Sequence, residues 1–142
     1  MVVALMLGRE GSEGFPGKNT HPVLGRPMMS YPLLAAQSAK LVDKIYVSTD
    51  SDNIKNIAKE HGAKIIDRPL ELATKEALGE DAYAHGFQCI GERLGAPPDL
   101  TVLLFCNAPT ILAKTIDEGI CILLEDPSLD SAVTVSAYNM WS

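Results

Sequence analysis

Five short apolar runs, rich in β-branched residues, alternate along the chain with four stretches of helical period, and this alternation constrains the fold more than any other feature. The runs cover residues 2–7, 44–49, 63–67, 101–106 and 131–136. Between them, residues 29–41, 52–61, 79–94 and 114–124 repeat apolar positions at helical spacing. The pattern is β-α-β-α-β-α-β-α-β. Because crossovers between parallel strands are right-handed, it predicts a Rossmann-like three-layer α/β/α domain with a mainly parallel sheet. The first run, Val2-Val3-Ala4-Leu5-Met6-Leu7, has no polar alternation, as expected of a strand covered on both faces. In such sheets ligands sit beyond the carboxyl ends of the strands, where the strand order reverses. With an order of third, second, first, fourth strand, the walls of that site are the loops at 8–19 and 106–111.

A length of 142 residues fits one domain, here residues 1–142, and 46% hydrophobic residues supply a core. Twelve Lys and Arg against eighteen Asp and Glu give a net charge of −6, which argues against broad nucleic-acid binding. The seven-residue apolar start lacks a basic flank and is too short to span a membrane, so no membrane role is expected. Cys89, Cys106 and Cys121 have no metal-ligand spacing and read as buried, reduced thiols, which suits a cytoplasmic setting. His21, His61 and His85 share no spacing either.

The first loop is Gly8-Arg9-Glu10-Gly11-Ser12-Glu13-Gly14-Phe15-Pro16-Gly17-Lys18-Asn19. Its spacing is neither that of a Walker A loop nor GxGxxG. Its chemistry still suits phosphate. Glycines let backbone N–H groups converge on an anion, Arg9 offers a fork of donors, Lys18 a mobile charge, and Ser12 and Asn19 neutral donors. Glu10 and Glu13 weaken the local field, so binding there depends on directed hydrogen bonds. A glycine-rich turn with solvated charges is the plainer alternative.

The order Arg9-x-x-Ser12-x-x-x-Pro16-x-Lys18-Asn19 resembles the signature of the acylneuraminate cytidylyltransferases and their CMP-Kdo synthetase relatives. Further segments are similar in the same order: Gly25-Arg26-Pro27-Met28, Ile45-Tyr46-Val47-Ser48-Thr49-Asp50, Arg68-Pro69-x-Glu71-Leu72-Ala73, Leu103 to Thr110, and Ser131-Ala132-Val133-Thr134-Val135. The resemblance implies a nucleotide-diphospho-sugar transferase type of fold. It also implies transfer of CMP from CTP to the anomeric hydroxyl of an acidic 2-keto sugar, with Mg²⁺ and release of pyrophosphate. It places Arg9 and Lys18 on the triphosphate as the catalytic cations, Ser12 and Asn19 on the nucleotide, and the backbone of Leu7, Gly8 and Arg9 on the cytosine edge. Arg68 would complete the base or phosphate pocket, with a salt bridge to Asp67, Glu71 or Glu80 as the alternative. Asp50 reads as a ribose or substrate ligand, or as part of a helix cap with Ser51 and Asp52. Asp81 reads as a helix-start acid.

Two departures stand out. Where the family has Gln, Thr and Ser in its fourth-strand motif, this chain has Phe105, Asn107 and Ala108. Phe105 cannot hydrogen-bond, so the acceptor sugar is open. Asn107 suits the nucleotide, a hydrated metal or a turn. Second, relatives are longer, and their later part carries acidic metal ligands and a dimerisation segment. The expectation is an N-terminal nucleotide-binding part of a longer homodimeric transferase, with metal ligands beyond Ser142 and doubtful activity of these residues alone. A nucleotide-binding module without catalysis, or a transferase with another acceptor, are the alternatives.

Overall fold

A computed structural model describes residues 1–10 and 17–135. Four parallel strands form the main sheet: β1 (Val2–Leu7), β4 (Lys44–Thr49), β5 (Lys64–Asp67) and β6 (Leu100–Phe105), in the order β5-β4-β1-β6. This is the expected order of third, second, first and fourth long runs. A small antiparallel hairpin, β2 (Pro22–Val23) with β3 (Arg26–Pro27), precedes the first helix. The helices are α1 (Ser30–Ser38), α2 (Asp52–Glu60), α3 (Gly79–Leu94) and α4 (Ala113–Glu125).

β1 is central, and Val3, Ala4, Leu5 and Met6 are all fully buried, which accounts for its unbroken apolarity. Its alternate side chains feed two cores. Val2, Ala4 and Met6 join Met29 just before α1, Leu33 of α1, Ile54 and Ile57 of α2, and Ile116 and Ile120 of α4. Val3 and Leu5 join Tyr46, Ile66 and Ile90 of α3 on the other face. Three helices thus cover one face and α3 covers the other. Tyr83 packs against this second core and stacks on Phe87 with ring centroids 6.3 Å apart.

The helix ends follow local chemistry. Ser51 caps α2, its hydroxyl accepting from Ile54 N at 3.3 Å. α1 ends at Ser38, three residues before the expected end. The carboxylate of Asp117 on α4 accepts from the backbone N–H of Lys40 and of Leu41, both at 2.9 Å, and so turns the chain out of the helix.

Three expectations need correction. Residues 131–135 form no strand, Val133 and Val135 are exposed, and Ser136 lies outside the described residues. The reason is topological. α4 packs on the same face as α1 and α2, so a parallel return from it to the free edge of β6 would be left-handed. β-branched composition without a neighbouring strand does not make a strand. Second, only Cys106 of the three cysteines is buried; Cys89 is half-buried and Cys121 exposed, and all are free thiols. Third, the sequence reading gave no hairpin at 22–27. Its two turn residues, Leu24 and Gly25, have φ of 50° and 84°, a conformation that Asn-Gly would have signalled and Leu-Gly does not. No described helix is long and apolar enough to cross a membrane.

Candidate functional site

The carboxyl ends of β1 and β6 open onto a cleft of about 260 Å³. Leu7, Gly8 and Arg9 line it from the end of β1, and Phe105, Cys106 and Asn107 from the end of β6. Lys18, Asn19 and Arg68 also reach it. Seven of the eight candidate nucleotide-binding residues therefore share one cleft; the eighth, Ser12, lies outside the described residues. A third wall, from Leu72, Thr74, Ala77, Leu78, Gly79 and Ala82, was not read from the sequence. The only signal for it was its position directly after the segment containing Arg68.

The strand ends are tightly built. Gly8 N donates to Ser48 O at 3.1 Å, continuing the β1–β4 ladder one residue past the strand. A Cβ on Gly8 would lie 2.8 Å from the thiol sulfur of Cys106 and 3.4 Å from Ile54 Cδ1, so only glycine fits there. Cys106 Sγ contacts Leu7 O at 3.5 Å, and burial pushes its thiol pKa up to about 12. It is a neutral filler, not a nucleophile.

Two contacts pin the glycine-rich loop. Asn19 Nδ2 donates to Arg9 O at 3.3 Å, joining the loop's two ends. Glu10 N donates to Asp50 Oδ1 at 3.2 Å. Asp50 therefore holds the loop entrance, while the cap of α2 is Ser51 alone. Asp81 is exposed in the first turn of α3, next to Ala82 but outside the cleft lining.

Arg68 carries the strongest electrostatic signature. It is only 8% exposed. Its Nη2 donates to Ser48 O at 2.9 Å, its Nε to Ser48 Oγ at 3.4 Å, and its own N–H to Thr49 O at 3.0 Å. Among the described residues no carboxylate lies within ion-pair distance of it. Asp67, one alternative partner, instead pairs with Lys55 at 2.7 Å. Burial lowers the pKa of Arg68; Asp50 opposes that shift, and the nearby charge of Arg9 adds to it. Arg9, Lys18 and Arg68 thus line one cleft, with the charge of Arg9 felt at Arg68, an arrangement suited to a multiply charged anion.

Among the described residues no three His, Cys, Asp or Glu side chains converge as a metal site. A larger open hollow of about 690 Å³ lies between the end of α1 and α4, with Lys40, Lys114 and Asp117 in its lining. Both Asp117 oxygens are already engaged by backbone N–H groups, and no strand end contributes to it.

A sequence profile for the cytidylyltransferase family matches residues 3–82. The chain is 33% identical over 84 residues to the N-acylneuraminate cytidylyltransferase of Escherichia coli O18:K1:H7, a match covering 59% of this chain and 20% of that protein. It is 34% identical over 127 residues to the 8-amino-3,8-dideoxy-manno-octulosonate cytidylyltransferase of Shewanella piezotolerans, covering 89% and 49%. Among solved structures, CMP:2-keto-3-deoxy-manno-octonic acid synthetase complexed with CTP superposes with a TM-score of 0.73 at 22% identity, over 90% of this chain and 49% of that one. That likeness concerns the fold. The chain spans between a fifth and about half of the length of these relatives. The profile match covers more than half of the chain, and the chain belongs to the cytidylyltransferase family.

Proposed function

We propose that this chain is the nucleotide-binding domain of a transferase that moves CMP from CTP to the anomeric hydroxyl of an acidic 2-keto sugar. In this reading the hydroxyl oxygen attacks the α-phosphorus, the bond to the β-phosphate oxygen breaks, and pyrophosphate leaves. Arg9 and Lys18 bind the triphosphate and offset its charge in the transition state, and Arg68 lies beside them at the base or phosphate end. The backbone at Leu7, Gly8 and Arg9 faces the cytosine edge, while Asn19 and Asn107 contact the nucleotide. The single observation that carries the reading is Arg68: a buried guanidinium, beside a second one, with no described carboxylate within ion-pair distance and only the charge of Asp50 opposing its desolvation. Burying such a charge is costly unless an anion meets it.

The family relationship adds Mg²⁺ to this reading. The described residues do not by themselves form a site for it, so no step is assigned to the metal here. A nucleotide-binding module that does not complete the transfer is the second reading.

Titration calorimetry with CTP in magnesium buffer tests the proposal. Lys18→Ala is expected to bind roughly 10- to 100-fold more weakly, the cost of losing a charge-assisted hydrogen bond of about 1.5–3 kcal/mol. Equal affinities would remove Lys18 from the triphosphate. Pyrophosphate release from CTP plus an acidic keto sugar separates the two readings.

A further inference from the structure

We infer that His61, which lies outside the cleft, is a positioning residue for it: through Ser30 it fixes the start of α1, and through that start the Asn19 that joins the two ends of the glycine-rich loop. The inference rests on the nucleotide-binding reading above and adds to it a residue that touches no substrate.

His61 follows α2, and its backbone is held without its ring. Its N–H donates to Ile57 O at 3.3 Å and to Ala58 O at 3.1 Å, and its carbonyl accepts from the side-chain amide of Gln37. The imidazole is left with one hydrogen bond among the described residues: Nε2 lies 3.1 Å from Oγ of Ser30. Ser30 opens α1 and is only 2% exposed. A buried hydroxyl that loses its partner bears the cost of its desolvation. α1 has no side-chain cap, and the hydroxyl at its first residue is engaged by His61 instead.

From Ser30 the connection reaches the cleft in two bonds. The N–H of Met29, one residue before Ser30, donates to Asn19 O at 3.0 Å. Asn19 Nδ2 donates in turn to Arg9 O at 3.3 Å, and both Asn19 and Arg9 line the cleft. Met29 is fully buried, so it moves with the first turn of α1. α2 also packs against the short turn Lys18–Thr20 that contains Asn19. The end of α2 thus holds the start of α1 relative to a loop that α2 itself touches. A loop already held in its binding geometry has less ordering left to do when a nucleotide arrives, and affinity rises accordingly. The other tie between these helices, Gln37 on His61 O, lies in the last turn of α1, away from Asn19.

The test is calorimetry with CTP in magnesium buffer, together with amide hydrogen exchange by NMR in the absence of nucleotide. His61→Ala is expected to bind CTP roughly 3- to 10-fold more weakly, the range for one neutral hydrogen bond. It is also expected to speed exchange at the Met29 amide by roughly 5-fold or more relative to the amides of β1, which report global opening. Ser30→Ala removes the same bond from the other side and is expected to match both effects, with no further loss in the double variant. His61→Gln offers Ser30 a neutral amide and is expected to keep CTP affinity within about 2-fold. Gln37→Ala is expected to lower the melting temperature and leave CTP affinity as it is. Unchanged CTP affinity or unchanged Met29 exchange in His61→Ala and Ser30→Ala overturns the inference and leaves the transfer reading standing. Equal loss of affinity in Gln37→Ala also overturns it, because any loosening between α1 and α2 then suffices. Failure of the wild type to bind CTP overturns both.

Discussion

The guanidinium of Arg68 donates through Nη2 to the backbone carbonyl of Ser48 at 2.9 Å and through Nε to the Ser48 hydroxyl at 3.4 Å, which fixes a buried cation at the end of β4. Arg68→Gln keeps a donor but removes the charge. It is expected to weaken CTP binding by roughly 10- to 100-fold, as for the loss of one charged hydrogen bond. Relieved of a desolvated cation, the free protein is expected to melt no lower than the wild type. Calorimetry and thermal melts read the two effects separately. A drop in melting temperature with unchanged CTP affinity would make Arg68 structural.

Gly8→Ala places a methyl group 2.8 Å from the Cys106 sulfur, closer than side-chain carbons are found. Overpacking of this kind costs about 1–3 kcal/mol. Chemical denaturation is expected to show that loss, and Gly8→Ala combined with Cys106→Ala to recover part of it. Additive losses in the double variant would refute the contact.

Cys106 is buried with its pKa near 12, whereas Cys121 is exposed. At pH 8 a thiol reagent is expected to modify Cys121 readily and Cys106 only on unfolding. The pH sign follows. The folded state holds the Cys106 proton more tightly than the unfolded chain, whose reference value is 9.0. The stabilisation is therefore complete below about pH 9 and is lost as pH rises from there toward 12. Cys106→Ala is expected to flatten that part of the stability profile.

Ser51→Ala removes the hydroxyl that accepts from Ile54 N, inside a buried capping position. The expected cost is about 1 kcal/mol in a denaturant titration. Because Asp50 rather than Ser51 holds the glycine-rich loop, CTP affinity is expected to stay as it is.

The four long runs and four helical stretches were legible because each carries its own period, and β1 announced its double burial by having no polar residue at all. Gly8, Arg9, Lys18, Asn19 and Asn107 were legible as one site because the strand order brings their two loops together, while Leu7 and Arg68 were legible only through the family resemblance. The third wall was not. Leu72, Ala77, Leu78 and Ala82 are ordinary apolar residues, and only the path of the chain from β5 into α3 turns them toward the cleft. The role of Asp50 was hidden in the same way. A carboxylate before a helix looks like a cap, and its bond to Glu10 N spans 40 residues of sequence. The hairpin escaped because Leu24 takes a left-handed backbone that its side chain disfavours, so composition gave no cue.

Four strand ends stand side by side, those of β1 and β6 lining the cleft, and hydrogen bonds between neighbours hold them at a fixed spacing of about 4.8 Å. The ladder works as a ruler: from the Arg68 guanidinium, held at the end of β4, to Phe105 at the end of β6 is two steps, roughly 10 Å. A ligand laid across it meets charge at one end, bare backbone in the middle and an aromatic ring at the other. Because each graduation belongs to a different strand, a side chain at the Phe105 end can be exchanged without moving the arginine at the far end. What the Phe105 end contacts can then change while the Arg68 end stays put.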